Sequence, residues 1–357
     1  MQKSIQIPLN KKENKSYKII IKPGVFEEIA QDLKDNEYGK KYCIITDTKV
    51  KKLYGTKLQK SLSGKKIKSS IIAFPSGEKN KNLQTYEKIL EKMIKEDYKR
   101  GDCIIALGGG VVGDIAGFVA ATFLRGINFV QIPTTLLAMT DSSIGGKTGV
   151  NSEYGKNLIG AFYQPKKVYI DPLLLKTLPE KEFKNGMAEV IKHACIKDKA
   201  LFKYLENSSD QIKKVKSKAV TKMLYMSCMV KANIVKKDVK EKKLRMLLNY
   251  GHTIGHGLEK ISNYEIPHGE AVAIGIHAIN KLALRNQIIS HKNVAAIKDL
   301  LTKYKLKTTI PRKLESRKIL EVVKKDKKSV GKKLNLVFVT KIGKAVIRDD
   351  IAIKIYK

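Results

Sequence analysis

Short apolar runs punctuate the first half of the chain at Tyr42 to Thr46, Ser70 to Phe74, Cys103 to Leu107, Phe129 to Ile132 and Val168 to Ile170. Runs of this length bounded by polar and turn residues read as buried strands. Helix-like patterns separate them, and strands that alternate with helices build a parallel α/β sheet. From about Pro179 the pattern changes to long amphipathic helices, such as Thr221 to Val235 and Glu270 to Ala283, rich in Met, Ala and Lys. Near the end, Leu334 to Val339 and Ala345 to Ile347 around Gly343 predict a late hairpin. A chain of 357 residues with 43% hydrophobic content favours two domains. The change of pattern puts the boundary at Leu178-Pro179: residues 1–178 form a Rossmann-like parallel-sheet unit and residues 179–357 a mainly helical one.

Within the first unit, the run Asp102 to Leu107 leads through Gly108-Gly109-Gly110-Val111-Val112-Gly113-Asp114 into a helix-like stretch from Ile115 to Phe123. Glycines let backbone approach a phosphate, and the free amides and positive dipole end of the next helix favour its charge. Gly108, Gly110 and Gly113 satisfy the Gly-x-Gly-x-x-Gly spacing, although a tight strand-to-helix turn without a ligand explains a lone match too. Further on, Gln131 to Asn151 and Gly155-Lys156-Asn157 are dense in small polar residues, glycine and lysine. They read as a long ligand-wrapping loop, in which Lys147 and Lys156 offer charge to a phosphate and Asp141 and Asn157 offer directed hydrogen bonds. The same composition suits a solvated surface loop. It is not a P-loop, since Asp141 stands where that motif needs its first glycine.

The helical half holds three of the six histidines within seventeen residues: His252, His256 and His268. His252 and His256 are four apart and share a helix face, and His268 returns after a turn marked by Asn263 and Pro267. Two imidazoles and a carboxylate form a common catalytic Zn²⁺ set. Thr253 occupies the position where a metalloprotease needs Glu. Spacing alone leaves a pair of satisfied core histidines equally open.

Charge adds less than its size suggests. Lys and Arg total 71 against 34 Asp and Glu, a net +37, with an isoelectric point near 9.8, which ordinarily raises nucleic acid or an acidic membrane as partners. Lysine, however, is spread along the whole chain, aromatics do not interleave with it, and only seven of the 71 are arginine, the usual base reader. No specific nucleic-acid or membrane partner is therefore expected, and the excess charge is read as compositional bias that also attracts an anionic substrate. Cys43, Cys103, Cys195 and Cys228 are widely spaced and imply no disulfide framework. Lys3, Asn10, Lys11 and Lys12 interrupt any leader, and no segment nears the about 20 apolar residues of a membrane span, so a cytoplasmic enzyme is expected.

Several blocks stand in one order: Pro75 to Lys79, Gly108 to Asp114, Ile132 to Asn151, Gly186 to Lys192, Leu248 to His252, His268 to Glu270 and Asp326 to Lys328. In these blocks the chain closely resembles the 3-dehydroquinate synthase family, from about Pro75 to Lys328. The resemblance implies a Zn²⁺ ion, with Co²⁺ able to stand in, held by Glu189, His252 and His268, and His256 beside the metal as a proton carrier. It implies NAD bound by Asp47, Glu78, Lys79, Gly109, Gly110, Val111, Asp114, Thr134, Thr135, Asp141 and Lys156. Around the leaving phosphate it implies Lys147, Asn157 and a lysine of the Lys327-Lys328 pair, with Arg125 reaching in from the second subunit of a homodimer. Lys231, Arg245 and Asn249 would hold the carboxylate end and nearby hydroxyls, and Lys192 and Asp141 would complete the lining.

The family's reaction turns 3-deoxy-D-arabino-heptulosonate 7-phosphate into 3-dehydroquinate and phosphate. It proceeds by transient oxidation by NAD, phosphate elimination, reduction, ring opening and aldol closure, with the metal as Lewis acid. Three other functions compete. A sister cyclase acting on sedoheptulose 7-phosphate or glucose 6-phosphate would share the fold, but a carboxylate-bearing substrate suits Arg245. A metal-dependent polyol dehydrogenase would release NADH and has no need of the phosphate-binding lysines. A polyanion-binding protein would leave Glu189, His252 and His268 without a purpose.

Overall fold

The computed structural model describes residues 16–241, 243–311, 314–328 and 335–353, without the side chains of residues 316 and 324–328. In chain order the strands of the first half are β1 (Lys18–Ile21), β2 (Lys41–Asp47), β3 (Lys68–Phe74), β4 (Cys103–Gly108), β5 (Asn128–Pro133), β6 (Lys147–Ser152), β7 (Gly155–Phe162) and β8 (Lys167–Ile170). Six of them form one parallel sheet in the order β1-β8-β5-β4-β2-β3. The central strand β4 is buried along its length because helices cover both faces, which is why it reads as an unbroken apolar run. One core lies under the Val25–Asn36 and Thr56–Gly64 helices and runs on into the helical half. A second core fills the opposite face beneath the Leu83–Lys95 and Gly110–Thr122 helices.

The chain leaves β2 toward β3 on one side and leaves β4 toward β5 on the other. That reversal between neighbouring strands opens a crevice at their carboxyl ends, the usual ligand position in an open α/β sheet. Asp47 ends β2 and the Gly108–Gly110 turn ends β4, so the topology brings both to this point.

All five predicted strands are present within two residues of their expected ends, and the expected helices run Gly110–Thr122, Ser217–Lys237 and His268–Arg285. The late hairpin forms as β9 (Leu336–Lys341) and β10 (Lys344–Arg348), turning on Gly343 at φ 87°; Leu334 lies outside the described residues. The stretch from Gln131 to Asn151 is not the single long loop expected. It is a wide helical turn at Ala138–Ser142 followed by β6, which pairs with β7 as an antiparallel hairpin. The reason is burial: Leu136, Met139, Ile144 and Val150 are in the core, so the segment is half interior despite its polar composition. The edge strand β1, only partly buried, was not anticipated.

The helical half contains Glu180–Lys197, Lys199–Asn207, Ser217–Lys237, His252–Ile261, His268–Arg285, His291–Lys303 and Ser316–Lys328. The His252–Ile261 and His268–Arg285 helices touch backbone to backbone. A Cβ at Gly275 would stand 2.0 Å from the Gly251 carbonyl oxygen. Among the described residues no helix is long and apolar enough to cross a membrane. All four cysteines are free and buried.

Candidate active site

Glu189 projects from the middle of the Glu180–Lys197 helix, and His252 and His268 each open a helix of their own. Their ligand atoms converge: the Nε2 atoms of His252 and His268 each stand 3.5 Å from the same Glu189 oxygen, and the three groups lie within 4.8 Å of one another. Ligands about 2.1 Å from a tetrahedral Zn²⁺ are about 3.4 Å apart, so this spacing fits that ion. Glu189 is fully buried and neither of its oxygens makes a hydrogen bond of proper geometry. Such an unsatisfied buried carboxylate is costly without a counter-charge. Lys192, one turn on and equally buried, forms an ion pair with it.

Electrostatics separate the two imidazoles. Burial, reinforced by the Lys192 charge, pushes His252 down to about 3, so its ring is neutral and its nitrogen free to ligate. Burial also opposes charge on His268, but Glu189 and Glu259 outweigh it and raise this histidine to about 10. His256 follows one helical turn after His252, with ring centres 5.3 Å from His252 and 6.1 Å from His268.

Polar side chains from the first half meet those of the helical half directly. Lys231 pairs with the Asp141 carboxylate and also donates to its backbone carbonyl. Burial works to protonate Asp141, but Lys231 and Lys192 hold it below the usual carboxylate range. Lys147 pairs with Glu241, which also accepts from Asn249 Nδ2 at 3.2 Å. Lys156 donates to Glu259 at 3.0 Å and lies 4.0 Å over the Tyr264 ring. Arg245 is 2% exposed and donates from Nη1 to the carbonyls of Val239 at 2.7 Å and Gly145 at 3.2 Å. In this conformation its Nη1 is occupied by backbone, so meeting a substrate carboxylate there requires exchanging those contacts.

The glycine turn fits a phosphate on two counts. The helix opens at Gly110, leaving its first amides without helical partners. A side chain at Gly109 would come 3.1 Å from Thr135 and one at Gly110 would come 3.1 Å from Ser142. Thr134 donates its amide to the Gly108 carbonyl, and Thr135 Oγ1 accepts from Ala138. Asp114 pairs with Lys81 at 2.5 Å, and Lys81 also reaches the side-chain oxygen of Asn157. Burial dominates at Asp114, whose carboxyl is raised despite that lysine. Val111 sits in the first turn of the same helix. Glu78 accepts from Asn151 at 2.8 Å and Lys79 is exposed beside it, while Asp47 caps the amides of Lys49 and Val50.

Arg125 stands apart from the glycine turn within the chain. It is exposed beyond the end of the Gly110–Thr122 helix, which at 1.5 Å per residue puts it about 20 Å from the glycine turn. The side chains of Lys327 and Lys328 lie outside the described residues. Three residues that sequence reasoning did not single out join the site: Lys81, Glu241 and Glu259. Only Glu259 had a visible signal, since it falls seven residues after His252 and three after His256, on the same helical face.

A parallel sheet with a glycine turn at its switch point, set against helices carrying a buried carboxylate and two imidazoles, defines a class of two-unit enzymes that combine a nucleotide-type turn with a metal set. Within that class the chain belongs to the 3-dehydroquinate synthase family. The family's N-terminal model matches residues 71–185 and its C-terminal model residues 186–329. The 3-dehydroquinate synthase of Rippkaea orientalis is 44% identical, over 99% of this chain and 97% of that protein. Among solved structures, 2-epi-5-epi-valiolone synthase from Streptomyces hygroscopicus subsp. jinggangensis 5008, with NAD⁺ and Zn²⁺ bound, superposes with a TM-score of 0.89 at 26% identity, covering 98% of this chain and 96% of that one. A 2-deoxy-scyllo-inosose synthase complexed with carbaglucose-6-phosphate, NAD⁺ and Co²⁺ gives 0.82 at 29% identity, covering 93% and 92%.

Proposed function

We propose that this chain converts 3-deoxy-D-arabino-heptulosonate 7-phosphate into 3-dehydroquinate and phosphate, as a carbon–oxygen lyase of aromatic amino acid biosynthesis. The observation that carries this reading is the convergence of Glu189, His252 and His268 beside lysines that both halves contribute, in a chain of this family. NAD, when bound, supplies reversible hydride transfer, and Zn²⁺, when bound, supplies a Lewis acid for the substrate's hydroxyl and the oxyanion that develops from it. Glu189, His252 and His268 would hold the metal. The Gly109–Val111 turn, with Asp47 and Asp114 beside it, would hold the dinucleotide.

The remaining work falls to side chains. Lys147 and Asn157 present a cation and an amide to the departing phosphate, and neutralising its charge makes it a better leaving group. His256, close to the other two imidazoles, is placed to take or return a proton without ligating. Lys231, Arg245 and Asn249 face the carboxylate end of the substrate. Asp141 and Lys192 keep Lys231 and Glu189 in place through ion pairs, the second of them fully buried. The reading extends to a cytoplasmic homodimer in which Arg125 of one subunit completes the other's phosphate site. Its two units would be a nucleotide-binding one at 1–178 and a metal and substrate one at 179–357.

The test mixes metal-loaded protein with catalytic NAD⁺ and the heptulosonate phosphate and follows phosphate and dehydroquinate together, with Glu189→Ala as the blank. Equal release of both without net NADH, lost in the blank, is expected. Phosphate released only from sedoheptulose 7-phosphate or glucose 6-phosphate would move the chain to a sister cyclase, and accumulating NADH would make it a dehydrogenase.

A further inference from the structure

We propose that Glu259 is a positioning residue for the metal centre: its buried carboxylate accepts the Nδ1–H of His268 and so aims the opposite ring nitrogen at Glu189 and His252. His268 has a carboxylate on each side, with Nε2 3.5 Å from Glu189 and Nδ1 3.2 Å from Glu259. One ring can ligate through only one of these nitrogens while donating a proton from the other. The state of the two carboxylates decides which. Both oxygens of Glu259 are in use, Oε2 by His268 and Oε1 by Lys156 at 3.0 Å. Glu189 Oε1 makes no hydrogen bond and faces both imidazoles at 3.5 Å, while its Oε2 pairs with Lys192. Glu189 is therefore the carboxylate open to an ion, and Glu259 is the one that orients the ring.

Glu259 is 4% exposed and sits one turn beyond His256 on the His252–Ile261 helix. It thus fixes a ligand carried by the neighbouring helix. Lys156 supplies the counter-charge that keeps Glu259 an acceptor in this interior. A histidine ligand held this way keeps one tautomer and one ring plane, and removing such a partner typically weakens metal binding about 10- to 100-fold.

The inference rests on Glu189, His252 and His268 being the metal set, and its test separates the two. Zn²⁺ alone is titrated into metal-free protein in competition with a chromophoric chelator, for wild type, Glu259→Gln and Glu259→Asp, with the thermal midpoint of each metal-free form recorded alongside. The expected result is a dissociation constant about 10- to 100-fold weaker for Glu259→Gln with little change in midpoint, and a smaller loss for Glu259→Asp, which also serves if the Gln variant does not fold. In Co²⁺-loaded protein the visible ligand-field bands should shift in the variants. A merely structural role would lower the midpoint and leave affinity and bands unchanged, and that result would overturn the proposal. So would two Zn²⁺ per chain in wild type with one lost in Glu259→Gln, because Glu259 would then be a ligand itself. Wild type that binds no Zn²⁺ would overturn the metal reading and this inference together.

Discussion

Replacing Gly275 by alanine should weaken the candidate metal site without touching Glu189, His252 or His268. The new Cβ would lie 2.0 Å from the Gly251 carbonyl oxygen and 3.0 Å from the Gly255 nitrogen, both backbone atoms that no rotamer change can move. Contacts under 3.0 Å are essentially never made by real Cβ atoms, so the His252–Ile261 and His268–Arg285 helices must part by about 1 Å. Overpacking of this kind costs about 1–3 kcal/mol, and backbone on both sides favours the upper end. For cooperative unfolding of a chain this long, about 3 kcal/mol lowers the thermal midpoint by about 4 °C. The chemical effect is larger. A metal site tolerates errors of about 0.2 Å, so shifting one histidine-bearing helix against the other should weaken Zn²⁺ at least about tenfold. Gly64→Ala is the matched control, since nothing lies within 4 Å of its Cβ, and its effect should stay within about 1 kcal/mol. Differential scanning calorimetry and chelator competition on the two variants read both quantities. Equal midpoints and equal Zn²⁺ affinities in the two would refute the backbone contact and the reasoning built on it.

Other expectations follow from burial and charge. Lys231→Met leaves Asp141 without its ion-pair partner and should cost about 3–5 kcal/mol in a urea titration, whereas Lys231→Met with Asp141→Asn should recover most of that; equal losses in both would show the pair is not coupled. His277 is buried in the His268–Arg285 helix, and burial, with Lys281 and Lys298 nearby, pushes it down to about 4. Below its ordinary value near 6.5 the unfolded chain takes up a proton that the folded chain refuses. Stability is therefore full above about pH 6.5 and falls by at most about 3 kcal/mol toward pH 4. His277→Gln should flatten that part of a stability–pH curve, and an unchanged slope would remove His277 as its cause. If Arg125 serves the neighbouring subunit, Arg125→Met and Glu189→Ala should each be inactive alone, yet mixed and re-formed dimers should regain roughly a quarter of wild-type activity. No recovery in verified mixed dimers would return Arg125 to the surface.

Legibility followed the physical range of each signal. The buried strands were readable because a two-sided environment forces unbroken apolar runs, whereas β1, at the sheet edge and partly exposed, carried no such mark. Gln131 to Asn151 has a misleading composition: its threonines, serines and glycines look like loop, but Leu136, Met139 and Val150 pin it to the core. His252 and His268 stood out as rare residues at close spacing. Glu189, some sixty residues earlier, could not be tied to them by periodicity; only the resemblance pointed to it, and only the fold brings its carboxylate to 3.5 Å from both rings. Glu241 had no signal at all, being one acid in a lysine-rich turn, yet it binds Lys147 and Asn249 together.

Lysine posed the hardest problem in the sequence, since a residue so common marks nothing by its presence. Burial supplies the missing discrimination. Among the described residues only Lys81, Lys167, Lys192 and Lys231 are buried. Lys167 braces the sheet by pairing with Asp32, and the other three stand at the candidate site against Asp114, Glu189 and Asp141. An ammonium is taken out of water only where a carboxylate repays its lost hydration, and removing one partner of such a pair is costly. A compositional drift toward lysine can therefore load the surface freely but cannot place a lysine in the interior without a matching acid. Burial and a paired acid thus set the three lysines at the site apart from the surface lysines. These pairs also tie the Asp141 helical turn, the glycine-turn helix and the Glu189 helix to lysines at fixed points.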